Sequence, residues 1–390
     1  MARVQTAWRL RLTPFIEWRA RRFADPVERL RYLKAATKTQ ASQRPGRRWL
    51  RPGLAAMTMA AAALVVVSGR TPGRVAAGNN LELPPVAPRL PETSPVPDVW
   101  LVEQTTDYET YSNGLRVETA GSVANESRIP RSHRAGGYLY HSGTTQPVGI
   151  IYHTTESHIA PFAPDETQRL TQLGRRILDY VRQERSYHYL IDRFGRAHRV
   201  VEEHHAANHA GASIWADGLT IYMNLNHSFL GVSLESETVP GDRAPDTVTP
   251  AQVNSVSLLT AMLRSRYKIA SQNCVTHAQI SVNPVNLRIG NHTDWSSSFP
   301  FAAIGLPDNY ALPLGAYHVF GYTYDHDYVE ATGSRLWKGL SASEEHVRLQ
   351  ASARGLTVAQ YRSELRLRYR EVVNAMQVPG LYARSKEKQQ

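Results

Sequence analysis

The sequence predicts an α/β fold in which a central mixed β-sheet is flanked by helices and followed by a helical C-terminal extension. Three observations lead to this prediction. Residues 147–152 form a compact apolar run that is typical of a buried strand. Residues 165–185 carry apolar side chains at helical spacing, which predicts an amphipathic helix. Residues 187–191 and 197–201 alternate in polarity around a turn that contains glycine, which predicts a β-hairpin.

The remaining elements continue this alternation of strands and helices. Residues 229–234 form another apolar strand, and Thr249 with Gln252 predicts a capping box at the start of the next helix. Near the C terminus, Ser341 and Thr357 are the predicted N-caps of two helices. The buried face of the second of these helices is predicted from an apolar stripe formed by Tyr361, Leu365, Tyr369 and Val372.

Composition and charge exclude several classes of protein. The chain has 390 residues, of which 42% are hydrophobic and 20% charged, so it is neither wholly disordered nor a polytopic membrane protein. A single cysteine, Cys274, excludes an internal disulfide framework. Residues 1–51 contain 14 Lys or Arg and 3 Asp or Glu, and this excess equals the formal net charge of +11. The rest of the chain is neutral, so nothing in its charge supports a nucleic-acid partner.

The N-terminal region has the pattern of an export signal. The 14 residues from Leu54 to Val67 carry no charge and lie between Arg51 and Arg70. This run is shorter than the roughly 20 apolar residues of a membrane span and fits the apolar part of a signal peptide. Preceding Arg residues hold such a segment with its N-terminal side in the cytoplasm. We therefore expect the body of the protein to lie in the cell envelope, either released by cleavage or held by a retained anchor.

Changes in composition divide the chain into six parts. Six prolines between residues 78 and 98 predict an extended linker. The predicted parts are a basic arm over 1–53, a signal peptide or membrane anchor over 54–77, a Pro-rich linker over 78–99, lead-in strands over 100–146, an α/β domain over 147–310 and a mainly helical extension over 311–390.

Three side chains in the α/β domain have the chemistry of a metal site. His153 follows a predicted buried strand, His277 follows a short apolar segment, and Asp294 lies in a His-Thr-Asp-Trp sequence. Two imidazoles and one carboxylate with an open fourth position form the ligand set of a catalytic zinc ion. Spacing alone does not bring these residues together, because they are far apart in the sequence.

These residues lie within a set of motifs that follow one another in the same order as the motifs of a known family. The motifs are Ile150–His153, the hairpin from Tyr187 to Gly195, Asn208–Gly211, Asn226–Val232, Thr249–Gln252, Thr276–His277 and Thr293–Asp294. Together they resemble the zinc-dependent N-acetylmuramoyl-L-alanine amidases of the type 2 superfamily, which includes phage lysozyme-type amidases and peptidoglycan recognition proteins. The resemblance covers residues 147–300 and implies that the α/β domain is a zinc amidase domain.

The resemblance implies a substrate, a cofactor and a set of site residues. His153, His277 and Asp294 would bind Zn²⁺, and an activated water would cleave the amide between N-acetylmuramic acid and L-alanine. The partner would be peptidoglycan or muropeptides, and we expect a monomer. His209 and Asn208 are expected to contact the substrate.

Three departures from the family pattern concern the metal and the proton donor. His277 and Asp294 are 17 residues apart, which is longer than in most members, so His292 is the alternative third ligand. The lysine that often precedes the last ligand by two residues is replaced by His292. Either His292 or Tyr187 is expected to donate the hydrogen bond that stabilises the oxyanion. The strand glutamate of some members is replaced by Ser233, which leaves Tyr187 or Glu235 for proton transfer.

Two other functional classes stay open at this stage. The first is a non-catalytic peptidoglycan-binding module that recognises the cell wall. The second is a structural envelope protein whose residues 301–390 are the working part. Because all three ligand positions are filled, the sequence favours the enzyme. His204, His205 and His227 are assigned only to surface loops.

Overall fold

The computed structural model describes residues 96, 98–134, 139–140, 145–218, 220–238, 248–324 and 337–376. The predicted basic arm, the predicted signal or anchor and most of the predicted linker lie outside these residues. None of the helices within the described ranges is long and apolar enough to cross a membrane.

Fourteen strands are described, and they form three sheets. Eight of them form one mixed sheet in the order β1-β2-β3-β8-β7-β11-β6-β12, four form the antiparallel sheet β5-β4-β10-β9, and two pair as β13-β14. The strands are β1 Leu101–Gln104, β2 Tyr108–Tyr111, β3 Arg116–Glu118, β4 Arg131–Arg134, β5 Leu139–Tyr140, β6 Gly149–Thr154, β7 Tyr189–Ile191, β8 Ala197–Arg199, β9 Ile214–Asp217, β10 Thr220–Met223, β11 Phe229–Leu234, β12 Cys274–Thr276, β13 Val282–Asn283 and β14 Arg288–Ile289.

Helices lie on both faces of the large sheet and at the C terminus. The α-helices are α1 Thr167–Gln183, α2 Pro250–Tyr267, α3 His277–Ile280, α4 Gly315–Phe320, α5 Lys338–Ala353 and α6 Val358–Met376. The short 3₁₀ helices are Pro164–Glu166, Leu225–His227, Ser271–Asn273, Ala302–Ile304 and Asn309–Ala311. The predicted fold class, a mixed sheet with flanking helices and a helical extension, is confirmed.

The two long helices of the sheet form for the reasons that the sequence indicates. Helix α1 buries one apolar face, and its residues Ile177 and Val181 pack against Leu190 of β7. Helix α2 begins with the predicted capping box, in which the Thr249 hydroxyl accepts the Gln252 N–H and the Gln252 side chain accepts the Thr249 N–H. Its apolar residues cover the opposite face of the sheet.

The central strands are parallel, and this determines where the chemistry lies. Strands β7, β11, β6 and β12 run in the same direction. All residues of β6 and β11 are buried, as expected for strands that are covered on both faces. Their carboxyl ends meet at one edge, so His153 near the end of β6 and His277 directly after β12 become neighbours.

The region of the predicted lead-in strands contributes β1, β2 and β3 to the large sheet and β4 and β5 to the four-stranded sheet. Val117 of β3 pairs with Ala197 of β8, which extends the large sheet by β1, β2 and β3. Two hydrogen bonds of 2.9 and 2.6 Å from the Arg199 guanidinium to the buried Glu109 carboxylate join β8 to β2. The pKa of Glu109 is lowered, because these bonds and the charge of Arg199 outweigh the effect of burial.

The C-terminal extension packs against the four-stranded sheet. Helices α4, α5 and α6 share one apolar core with β9 and β10, and the predicted stripe of α6 is buried in it. The predicted N-cap of α5, Ser341, is wrong by four residues, because the observed N-cap is Trp337. The helix begins at Lys338, and the N–H of Ser341 donates to the Trp337 carbonyl inside the first turn.

Candidate metal centre

His153, His277 and Asp294 form one buried group at the carboxyl edge of the sheet. Nδ1 of His153 lies 3.1 Å from Oδ2 of Asp294, and Nδ1 of His277 lies 2.8 Å from Oδ1. The candidate ligand atoms of the three residues all lie within 4.8 Å of one another. Their exposed fractions are 1%, 5% and 6%, so the group is shielded from bulk water.

The long spacing before Asp294 is taken up by a hairpin. Helix α3 and the pair β13–β14 lie between His277 and Asp294, and the N–H of Gly290 donates to the Ser281 carbonyl where the hairpin closes. The chain then returns so that the Asp294 carbonyl accepts the N–H of Ala278 at 3.2 Å. The insertion therefore leaves Asp294 beside both histidines.

The charges in this group suit a divalent metal. Burial lowers the pKa of His153 to about 4, with a further contribution from His277, so His153 is a neutral imidazole at physiological pH. Burial alone would raise the pKa of Asp294, but His277 and the hydrogen bonds from both histidines hold it well below its usual range. Two imidazoles and one carboxylate anion, with both Nδ1 atoms beside the carboxylate, fit the ligand set of zinc.

His209 contacts the back of this group. Its Nδ1 lies 3.1 Å from Nε2 of His153, and its backbone N–H donates to Oδ1 of Asn226. A Cβ atom at Gly231 would lie 2.6 Å from the His209 ring, so the ring needs a glycine at that position. His209 is thus a buried partner of His153, and its predicted contact with the substrate stays a prediction.

Tyr187 lies on the other side of His153. The two rings have their centroids 5.0 Å apart. Tyr187 has φ = 60°, in the left-handed region that a tyrosine rarely adopts, just before β7. Burial and the Asp294 charge raise its pKa well above the ordinary value, so its phenol is protonated and able to donate a hydrogen bond.

One family model matches the segment that contains this group. Residues 143–296 match the family model described as N-acetylmuramoyl-L-alanine amidase. This segment carries the sequence pattern of that family, and we call it the amidase domain. No curated protein matches the chain.

Several solved amidase structures resemble the chain. AmiD from E. coli, in complex with anhydro-N-acetylmuramic acid-L-Ala-D-gamma-Glu-L-Lys, is 22% identical, with 37% of this chain and 54% of that chain covered and a TM-score of 0.28. AmpDH3 from Pseudomonas aeruginosa is 22% identical, with 60% and 96% covered and a TM-score of 0.32. LysC from Clostridium intestinale is 19% identical, with 48% and 93% covered and a TM-score of 0.26. The chain spans little more than half of the AmiD chain.

Glu156 is a residue of the amidase domain that the sequence analysis did not single out. Its Oε1 accepts the Thr154 hydroxyl at 2.5 Å and the Thr238 N–H at 3.1 Å. Burial raises its pKa to about 7, and the Asp294 charge adds to this rise. The charge of Glu156 also raises the pKa of Tyr187, so this carboxyl group lies near the metal group. Its only sequence signal is its position three residues after His153.

Glu235 occupies a different environment from the one expected. It follows the end of β11, and its Oε2 accepts the Arg193 N–H at 3.2 Å. A Cβ atom at Gly174 of α1 would lie 3.1 Å from the same oxygen, so the carboxyl group is packed against that helix. Burial raises its pKa to about 7, and the charges acting on it are Asp192, Arg193 and Arg196. Glu235 therefore supports the junction of β11 with α1.

The last two expected site residues are also placed. The His292 ring stacks on His277 with centroids 4.4 Å apart and an angle of 19° between the planes. This position is beside the metal group, although Asp294 and not His292 completes it. The Asn208 amide donates to the Glu184 carbonyl at 3.0 Å, so its side chain ties its loop to the end of α1.

Proposed function

We propose that the protein is a zinc-dependent N-acetylmuramoyl-L-alanine amidase that cleaves the amide bond between N-acetylmuramic acid and L-alanine in peptidoglycan. The observation that carries the proposal is the buried group of His153, His277 and Asp294 inside the segment that matches the amidase family model. These side chains come from separate elements and converge at one point, which a purely structural role does not require.

His153, His277 and Asp294 would hold the zinc ion in this proposal. Bound zinc supplies a water molecule with a pKa near 7 and polarises the substrate carbonyl. His209 would keep the proton on Nε2 of His153, since these nitrogens lie 3.1 Å apart, and so leave Nδ1 free as the ligand atom. Asp294 is anionic and supplies the only negative charge of the group.

Tyr187 and Glu156 would handle the charge and the proton of the reaction. The protonated phenol of Tyr187 would donate a hydrogen bond to the oxyanion, a contribution typically worth about 10²–10³ in rate. The carboxyl of Glu156, with its pKa near 7, would take a proton from the attacking water and pass it to the leaving amine. His292, stacked on His277, is the second candidate donor to the oxyanion.

The substrate places this activity in the cell envelope. The predicted export segment over residues 54–77 would carry the amidase domain there, with the basic arm left in the cytoplasm. A reporter enzyme that is active only outside the cytoplasm, fused after Asp98, should therefore be active. This location would be contradicted if that fusion were inactive and a second fusion at the same position, with a reporter that works only in the cytoplasm, were active.

Digestion of purified cell wall tests the activity. The zinc-loaded full chain should release peptides with a free L-alanine N terminus, identified by their masses. His277→Ala should lose both zinc and activity, whereas His346→Ala, a histidine of α5 distant in sequence from the amidase domain, should lose neither. A wild-type protein that binds cell wall and zinc but releases no peptide would instead be a recognition module. Zinc retained in full by His277→Ala would overturn this ligand assignment.

A further inference from the structure

A second group of metal-ligating side chains lies outside the amidase site. Glu202, His204 and His205 belong to one short loop that follows β8. Oε2 of Glu202 lies 3.3 Å from Nε2 of His204 and 3.8 Å from Nδ1 of His205. All three candidate ligand atoms lie within 4.8 Å of one another.

These distances are close to what a bound ion requires. With metal–ligand bonds of about 2.0–2.2 Å, the donor atoms of a tetrahedral zinc site are about 3.3–3.6 Å apart. The imidazole rings of His204 and His205 lie side by side, with centroids 4.0 Å apart and an angle of 41° between them. The three donor atoms therefore lie close enough together for one ion to contact all of them.

One donor atom in this group has no hydrogen-bond partner. Nδ1 of His205 is buried and neither accepts nor donates a hydrogen bond. A buried polar nitrogen without a partner costs about 1–3 kcal/mol, and most such atoms in native proteins are satisfied. Its nearest polar neighbour in the group is the Glu202 carboxylate at 3.8 Å, which is too far for a hydrogen bond. A metal ion between them would satisfy both.

The backbone of the loop is already fixed. The N–H of His205 donates to the Glu202 carbonyl at 3.0 Å, and His205 forms a bridge with Ser127. The N–H of Glu202 donates to the Val123 carbonyl at 3.2 Å. Binding therefore has to order only the side chains of Glu202 and His204, both of which reach the solvent.

We propose that Glu202, His204 and His205 bind one divalent transition-metal ion, in a site separate from that of the amidase domain. Imidazole and carboxylate ligands suit Zn²⁺, Ni²⁺ and Cu²⁺, and the exposed His204 leaves the remaining positions to water. The nearby Arg128 charge acts on His205 and opposes a cation, so the affinity is lower than at the buried site.

Metal counting on the full chain tests the proposal. The protein is stripped with a chelator and titrated with Zn²⁺ and, separately, with Ni²⁺, and bound ions are counted by native mass spectrometry. The double variant His204→Ala/His205→Ala should bind one ion fewer than the wild type, and it should keep the ion held by His153, His277 and Asp294. His346→Ala removes a histidine elsewhere and should leave the count unchanged.

Spectroscopy makes the result independent of activity. With Cu²⁺, the wild type should show nitrogen hyperfine coupling from this loop that the double variant lacks, and Glu202→Gln should weaken the binding while keeping that coupling. An unchanged ion count in the double variant would overturn the proposal. The proposal would also fail if the weaker of the two binding sites were lost in His277→Ala and kept in the double variant. Far-UV circular dichroism of each variant separates loss of a ligand from loss of the fold.

Discussion

Two groups of candidate metal ligands occur among the described residues, and they are built in different ways. His153 and His277 come from the ends of neighbouring parallel strands and Asp294 from the far side of a hairpin, whereas Glu202 and His205 belong to one short loop with His204. The first group is buried, and Nδ1 of His209 contacts Nε2 of His153. In the second, the His204 side chain is 71% exposed. Sheet topology creates the first group, and local sequence creates the second.

This difference has chemical consequences. At the buried group, low solvent exposure strengthens each electrostatic interaction and holds His153 neutral and Asp294 ionised. At the exposed group, water competes for every ligand and no substrate cleft is required. We therefore expect substitutions around the buried group to affect catalysis, and substitutions in the exposed loop to affect only metal content.

The largest effect beyond loss of a metal ligand is expected for Tyr187→Phe. This change removes the phenol that lies beside His153 and should lower kcat by about 10²-fold or more, within the range for a positioned proton or hydrogen-bond donor. Zinc content and the fold should stay the same, because the ring is kept. Steady-state kinetics with a muropeptide, together with metal analysis, gives the answer. A variant with the wild-type rate would exclude Tyr187 from the chemistry.

His209→Gln tests whether the contact of His209 with His153 increases the zinc affinity of the buried group. Loss of the imidazole that contacts Nε2 of His153 should weaken zinc affinity by about 10–100-fold, as for other outer partners of metal ligands. Competition with a fluorescent chelator measures this affinity. Asn208→Ala is the matched control, because its amide contacts the Glu184 carbonyl and zinc affinity should not change. Equal affinity in wild type and His209→Gln would show that His153 needs no such partner.

Glu156→Gln and Glu235→Gln distinguish the roles of two glutamates of the amidase domain whose pKa is raised. Glu156 lies near Tyr187 and Asp294, so the change should lower kcat about tenfold or more, while the amide still accepts the Thr238 N–H. Glu235→Gln should keep nearly the full rate, because Glu235 packs against α1. The opposite pair of results would move the general base to Glu235.

The sequence predicted the elements that have a strong local pattern. Strand β11 is found over the predicted residues, and α1 and α2 lie within or at their predicted limits, because apolar periodicity and a capping box are local signals. The attachment of β3 to β8 depends on pairing between residues about 80 positions apart, which no local pattern encodes. The predicted start of α5 is wrong. Its first turn packs against the rest of the protein at Gly339, which lies against the Leu312 carbonyl, and this tertiary contact leaves no local sequence pattern.

The site was predictable only in part for the same reason. The residue types of His153, His277 and Asp294 and their family motifs indicate a metal site, but only the fold shows that the β13–β14 hairpin returns Asp294 to the histidines. Glu156 resembles any loop glutamate until β6 places it near Asp294. The expected roles of Asn208 and Glu235 came from motif position, which does not show where a side chain points.

Glu235 should change the stability of the protein and not its catalytic rate. Its pKa is about 7 in the folded protein, above its ordinary value of 4.5, so the folded state holds this proton more tightly than the unfolded state. The stabilising contribution of the protonated group is fully present below about pH 4.5 and is lost as the pH rises through 7. The free energy of unfolding should fall by roughly 1.4 kcal/mol per pH unit across this window from this group alone. Glu235→Gln should flatten that part of the curve, so that denaturant unfolding shows a variant more stable than wild type at pH 8 and about equal to it at pH 4.5. If the free energy of unfolding depended on pH in the same way in both proteins, the pKa of Glu235 would be close to its ordinary value. Its burial against α1 would then cost the ionised carboxylate little free energy.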